Sequence, residues 1–354
     1  MEECYLTAAV GTPLTSRERI DHSGLSLQFD RLWSGGVDCA FIAGTMGCGQ
    51  LLADETYDEL VEQSVQISCG KGALIVGAND MSLLRTQHRI DRLNRFSLGG
   101  VVVLPPFFMQ FSQGELIDYY QALANESRSP IFLYDIPQRT HVRIEACTVI
   151  ALAEHPNIAG IKCSGDLQEA LQLHHRLALA GIDFPVIMAQ ADSLYELSAS
   201  GITQHLDGIY ALAPAWARQI VQNAGTGHHE EAKRLQGELT ALLKAMRMHG
   251  GLSALTVLMN AIGVRGTFAP RPFRQLSTTQ QKDLLDEPVV QRFLSSETTS
   301  KRNGRSDAVK SHVLDNGHCS QRHGKPSRAV THEGEALRGP SLNPINSESS
   351  GGMK

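Results

Sequence analysis

Short apolar runs alternate with stretches of helical periodicity along most of this chain. Runs beginning near Leu6, Cys39, Ala73, Gly100, Pro130, Ile158, Pro185 and Asp207 read as buried strands, being short, rich in β-branched residues and bounded by turn formers. They recur at intervals of 22 to 34 residues. Eight strands with room for a helix after each predict a (β/α)8 TIM barrel, a fold of about 250 residues. A doubly wound sheet would need fewer strands and a glycine-rich phosphate loop after the first. Here the first run leads into Gly11-Thr12-Pro13-Leu14, which lacks that fingerprint.

From Pro214 to Phe293 the pattern is helical. A long amphipathic stretch from Glu230 to Met248 puts Leu235, Leu239, Leu242, Leu243 and Met246 on one face, which reads as core packing rather than a partner interface. Gly250-Gly251 stops it, and a second helix is predicted from Leu252 to Ile262. The predicted organisation is a barrel over 1–213, closing and appended helices over 214–293, and a tail over 294–354. From Ser295 onward the chain is rich in Ser, Gly, Asn, Arg and His, with Ile345 its lone Ile and no Phe, Trp or Tyr. Such a segment buries too little apolar surface to offset the entropy of ordering it, so it is expected to be disordered. His318, Cys319 and His323 lie within it, and a solvated tail is a better reading of them than a metal site.

Composition narrows the function class. The 354 residues carry a net charge of -5, which gives no electrostatic reason to expect nucleic acid or an anionic membrane as partner. No apolar run approaches the roughly 20 residues that span a bilayer. Met1-Glu2-Glu3-Cys4 lacks the basic start and apolar stretch of a secretion signal. Seven cysteines without a Cys-x-x-Cys pair predict neither a disulfide framework nor a zinc site. A reducing compartment, the cytoplasm by default, is expected.

Lys162 carries the chemistry. It closes the run Ile158-Ala159-Gly160-Ile161 before the turn residues Cys163-Ser164-Gly165-Asp166, so it is predicted at the carboxyl end of a strand, where barrels of this kind do their chemistry. The run Pro130-Ile131-Phe132-Leu133 ends in Tyr134, 28 residues earlier, one strand-helix repeat away. An amine beside a phenol, half shielded from water, suits imine formation with a carbonyl substrate, without any cofactor. The amine must be partly neutral to attack, and desolvation in the barrel mouth favours that form. Tyr134 is placed to shuttle the proton. Glycines in Gly44-Thr45-Met46-Gly47 let backbone N–H groups converge on an anion at a helix start.

These blocks, together with Leu104-Pro105-Pro106-Phe107-Phe108, Tyr134-Asp135-Ile136-Pro137-Gln138-Arg139-Thr140, Thr12-Pro13 and Arg271-Pro272, resemble the dihydrodipicolinate synthase / N-acetylneuraminate lyase family of Schiff-base pyruvate enzymes. The resemblance covers residues 1 to about 293. It implies that Lys162 forms an imine with pyruvate, that the anion at Gly44, Thr45 and Met46 is the pyruvate carboxylate, and that Thr45 links to Tyr134. It further implies that Arg139 holds the carboxylate of aspartate semialdehyde. Tyr210, Gln190, Asp192 and Ala211 would line the pocket, and subunits would assemble into dimers or tetramers. The chain departs from the family pattern at Met46, Cys48, Phe108, Asp135 and His141, where a hydroxyl residue, Glu, Tyr, Asn and Gly are the rule. Phe108 cannot carry a proton in a relay across subunits. These departures leave imine chemistry intact and fit a divergent branch acting on another 2-keto acid or aldehyde.

The leading expectation is therefore a class I type lyase or aldolase that condenses pyruvate, or a related 2-keto acid, with an aldehyde, or cleaves the aldol. Dihydrodipicolinate synthase proper and a sugar-acid lyase of neuraminate or keto-deoxy-gluconate type are the alternatives. A barrel that binds a keto acid without turnover is the non-enzymatic one. A metal-dependent aldolase ranks low, for want of a cluster of His and carboxylates at strand ends.

Overall fold

Eight strands close into one parallel barrel in chain order: β1 (Tyr5–Ala9), β2 (Cys39–Ile42), β3 (Ala73–Gly77), β4 (Gly100–Val103), β5 (Ile131–Asp135), β6 (Ile158–Cys163), β7 (Val186–Met188) and β8 (Gln204–Asp207). The structure is a computed structural model and describes residues 4–307. Seven strands begin within one residue of the position expected from the apolar runs. The eighth is a correction, because Asp207 ends β8 rather than beginning it. Gln204 and His205 hide the strand from a hydrophobicity reading. His205 is nonetheless buried in the helix layer, where its Nε2 meets the Ile202 carbonyl at 2.9 Å and the Ser198 hydroxyl at 3.1 Å. Burial pushes its pKa down to about 4, so the ring is neutral there at ordinary pH.

Alternation along each strand sorts residues between two cores. Phe41, Ile75, Val102, Tyr134, Ile187 and Leu206 fill the barrel interior, while neighbours such as Ile42, Val76, Leu133 and Ile161 pack outward against the helices. The interior beneath the future site is built around Phe132. Added Cβ atoms at Gly100 and Gly160, on the strands either side, would approach its ring to 2.5 and 3.1 Å. Two glycines thus make room for one aromatic ring, and the β5–β6 pairing shifts register between Ile131 and Phe132 before running in step. That step pairs Tyr134 with Lys162.

The carboxyl-terminal helices do more than close the barrel. Helix His229–Met248 buries Leu235, Leu239, Leu242, Leu243 and Met246, as the pattern predicts, against helix Pro214–Thr226 and its other neighbours. Gly250 and Gly251, at φ of 100° and 61°, then reverse the chain in the left-handed region that favours glycine. Helix Leu252–Ala261 follows, and the reversal lies over the barrel mouth. Helix Pro288–Asp307 corrects the boundary expected at 294. Val290 and Phe293 anchor its first turns in the core, and Glu297 forms an ion pair with Arg31. Composition alone reads this stretch as tail because its buried anchors all precede residue 294. The rest of the expected tail, including His318, Cys319 and His323, lies outside the described residues. Among those described, no helix is long and apolar enough to cross a membrane.

Gly100→Ala is expected to lower stability by about 1–3 kcal/mol in urea unfolding, since the new methyl must displace the Phe132 ring. Adding Phe132→Leu should recover part of the loss. Unchanged stability in the single variant would show that the ring is not held there.

Candidate active site

At the carboxyl ends of the strands a cavity of about 330 Å³ opens, and Lys162, Tyr134, Thr45, Met46 and Arg139 all line it. Each arrives by a local cause. Lys162 and Tyr134 are inward positions near the ends of adjacent strands. Thr45 and Met46 sit on the turn after β2, which Gly49 makes possible, because a Cβ there would lie 2.1 Å from the Ala43 carbonyl oxygen. Thr12 holds the same turn by donating its hydroxyl to the Gly47 carbonyl at 2.6 Å. Arg139 rides on the four-residue helix Pro137–Thr140, ended by His141 at φ 57°.

The central contact is between lysine and phenol. Lys162 Nζ lies 3.6 Å from the centroid of the Tyr134 ring and 5.7 Å from that of Phe41. Both reacting groups are sequestered, with Lys162 5% and Tyr134 2% exposed. The Tyr134 hydroxyl is 3.1 Å from Thr45 Oγ1. Burial works to raise the phenol's pKa. The charge of Lys162 and hydrogen bonding by Lys162, Thr45 and Ser164 outweigh it, so the pKa falls below the usual tyrosine value. A phenol in that condition gives up and recovers a proton more readily than a free one.

The structure departs from expectation at several places. Tyr210 is not part of the cavity wall. The short helix Ile209–Leu212 turns its ring into the helix layer, fully buried, with a hydroxyl that has no hydrogen-bond partner among the described residues. Gly44 is buried behind the cavity lining, and its role is to leave room for the Phe41 ring, which a Cβ would meet at 2.5 Å. No helix starts at residues 44–47, since the next one begins at Asp54. Two N–H groups of that turn are already used, Cys48 to Thr45 O and Gly49 to Gly44 O. Gln190 and Ala211 are likewise not among the lining residues; Gln190 donates to the Gly165 carbonyl at 2.9 Å and Ala211 is buried. Phe108 stands 83% exposed, away from the cavity.

Sequence reasoning missed three polar cavity residues: Ser164, Asp207 and Arg247. Ser164 was visible, two positions past Lys162 in the turn after a strand. Asp207 was misplaced at a strand start, and reading Asp207-Gly208 as a strand end would have found it. Arg247 carried no local signal, because only the fold of the appended helices brings it over the barrel. Its guanidinium meets Asp192 at 3.3 Å, which places Asp192 at the rim. Asp135, beside Tyr134, faces the other way and accepts the Ile144 N–H at 3.0 Å, tying the strand end to the loop before the next helix. Among the described residues, no group of three or more His, Cys, Asp or Glu side chains is arranged to hold a metal ion.

Comparison with known proteins bears on the family and the fold. Residues 4–288 match the model of the Dihydrodipicolinate synthetase family. A 4-hydroxy-tetrahydrodipicolinate synthase from Methanothermobacter thermautotrophicus is 26% identical over 270 residues, 75% of this chain and 94% of its own length. One from Exiguobacterium sibiricum is 25% identical over 239 residues, 67% of this chain and 80% of its own. Among solved structures, a variant of the Sulfolobus solfataricus 2-keto-3-deoxygluconate aldolase shares the fold with a TM-score of 0.74 at 22% identity, covering 84% of this chain and 98% of its own. A prophage protein of the dihydrodipicolinic acid synthase family from E. coli K12, in complex with pyruvate, gives 0.75 at 18% identity, covering 82% and 98%.

Removing the charge with Lys162→Met is expected to move the Tyr134 titration upward, and by more than Thr45→Val does, because the lysine supplies the larger stabilisation of the phenolate. NMR of the labelled tyrosine ring would read both shifts. An unmoved titration in Lys162→Met would show that the amine does not face the phenol.

Proposed function

The chain belongs to the dihydrodipicolinate synthetase family, and from that premise we propose that Lys162 forms an imine with pyruvate or a related 2-keto acid, in a lyase or aldolase that makes or breaks a carbon–carbon bond to an aldehyde. One observation carries the reading: a buried amine 3.6 Å from the ring of a buried phenol, both at the mouth of a parallel barrel. The amine adds to the ketone, and the carbinolamine loses water once its hydroxyl is protonated. Tyr134, coupled to Thr45, is the group positioned to give and take back these protons. The protonated imine draws electrons from the adjacent carbon, whose deprotonation yields an enamine nucleophile.

Binding follows from the lining. Thr45 offers a hydroxyl to the keto-acid carboxylate, and the turn bearing Met46 supplies backbone donors. Arg139 offers a planar fork at the open side, suited to a carboxylate on the aldehyde partner. That supports aspartate semialdehyde as second substrate, in line with the synthase relatives. Met46 argues for a different aldehyde, since a Cβ at Gly208 would lie 2.0 Å from its Cε, which marks how tightly the thioether closes that side. The sugar-acid lyase reading rests on this reshaping. A cytoplasmic location and self-association belong to the same proposal. For the latter, Phe108 and Met109 stand 83% and 63% exposed and offer an apolar contact for a second copy, which analytical ultracentrifugation of Phe108→Asp would test.

Incubation with pyruvate and borohydride is expected to add one reduced pyruvate to Lys162, read by intact mass and peptide mapping. Lys162→Met should gain nothing. Tyr134→Phe should still label, with turnover reduced by roughly 10²- to 10⁴-fold, the usual range for a positioned acid–base. A folded wild-type protein that gains no mass would end the Schiff-base reading.

A further inference from the structure

Of the residues lining the cavity, Asp207 is the one carboxylic acid, and the imine steps leave it without a task. It ends β8, two strands from β6 on the side away from β5, and lines the cavity there. Its Oδ1 accepts the Ile209 N–H at 3.1 Å, which fixes the plane of the group. Among the described residues no other hydrogen bond or ion pair is made to it, so one oxygen is left for a ligand. The groups that face it electrostatically are Lys162 from β6, Arg247 from helix His229–Met248, Asp192 from the turn Ala191–Ser193 and the phenol of Tyr210. Arg139 lines the same cavity.

The reaction needs acid–base help at two separated places. Imine chemistry happens at the Lys162 nitrogen, where Tyr134 lies. The aldehyde oxygen is attached three carbons away along the new chain: the imine carbon, the nucleophilic carbon, then the former carbonyl carbon. A phenol held against the amine and tied to Thr45 is set for the first place rather than the second. We propose that Asp207 is the acid–base of the carbon–carbon step, with Tyr134 serving imine formation and hydrolysis; this rests on the Schiff-base reading above. In condensation the enamine carbon attacks the aldehyde carbon, and the carbonyl π pair moves to oxygen. That oxygen takes the proton of the Asp207 carboxyl, leaving a carboxylate that water reprotonates. In cleavage the carboxylate takes the hydroxyl proton as the carbon–carbon bond breaks and its electrons flow into the iminium.

The environment suits both directions. Burial raises the carboxyl's pKa, and the hydrogen bond from Ile209 and the charges of Lys162 and Arg247 offset this only partly, while Asp192 reinforces the rise. The acid form therefore persists to higher pH than for a free aspartate. The carbon–carbon step of cleavage starts from the carboxylate and slows as pH drops through that raised value, whereas the same step in condensation starts from the acid.

Asp207→Asn tests the division, because the amide oxygen can still accept from Ile209. The variant is expected to form the borohydride-trapped pyruvate adduct on Lys162 at a rate within about twofold of wild type. Its turnover of pyruvate with glyceraldehyde, glycolaldehyde or aspartate semialdehyde should fall by roughly 10²- to 10⁴-fold, and the acidic limb of its cleavage pH profile should vanish. Turnover and pH profile equal to wild type would overturn the assignment while leaving the Schiff base intact. Loss of trapping in the variant alone would move Asp207 to the imine steps and overturn it equally. A wild-type protein that traps pyruvate but turns over none of the three aldehydes would remove the step and the assignment with it. No trapping in wild type would overturn the Schiff-base reading itself.

Discussion

The site depends on keeping an amine and a phenol in register inside a barrel that excludes water. A buried ammonium costs several kcal/mol relative to water, and the aromatic contacts to Tyr134 and Phe41, worth about 0.5–2 kcal/mol as cation–π interactions, do not cover it. What completes the balance is a partner able to carry negative charge. Tyr134 qualifies because its pKa is lowered against the opposing effect of burial. The pairing therefore stores no idle ion pair. Amine and phenol are held together so that the negative charge the phenol can carry faces the ammonium. Its geometry is set from below, where Phe132 wedges between Gly100 and Gly160. A shift of one residue between β5 and β6 would turn one of the two side chains into the helix layer, where Asp135 and Cys163 now point.

The barrel supplies only part of the cavity. Met246, Arg247, Gly251 and Leu252 come from the helices that follow it, and they form the wall nearest β8. Two glycines at positive φ deliver them, so stability and site architecture meet at one reversal of the chain. The buried leucine face of helix His229–Met248 is then more than packing. It holds the helix end that carries Arg247 against the rim.

How much of this was legible in the sequence follows from the kind of signal each residue gives. Strand spacing reveals the barrel because burial on both faces demands short apolar runs, and Lys162 and Tyr134 stand out as polar residues closing such runs. β8 escaped because His205 is a polar residue satisfied inside the helix layer, which periodicity cannot distinguish from an exposed one. Tyr210 was misassigned because a four-residue helix gives no period from which to judge its facing. Arg247 is more than eighty residues from Lys162 along the chain, and nothing local says that an amphipathic helix will end over the barrel. The helix running to Asp307 escaped because its anchoring residues lie before the polar stretch they hold in place.

The cavity carries an excess of positive side chains. Lys162, Arg139 and Arg247 line it against a single acid, Asp207, so an anion entering the mouth meets a positive field. The three cations are not equivalent. Lys162 is committed to the phenol, and Arg247 is engaged by Asp192 at the rim. Arg139, exposed and without an ion pair among the described residues, is the cation able to gain most from a second anionic group. Met46 and Cys48 pull the other way, because an apolar side chain and a buried thiol, whose pKa burial pushes up to about 11, stand on the turn proposed to receive the first carboxylate. Under that proposal binding would fall to Thr45 and backbone dipoles, which recognise a carboxylate through direction rather than charge. On the proposed reading, selectivity between aldehydes would rest with the other cavity residues, an arginine that attracts anions and an aspartate that repels them but accepts a hydroxyl.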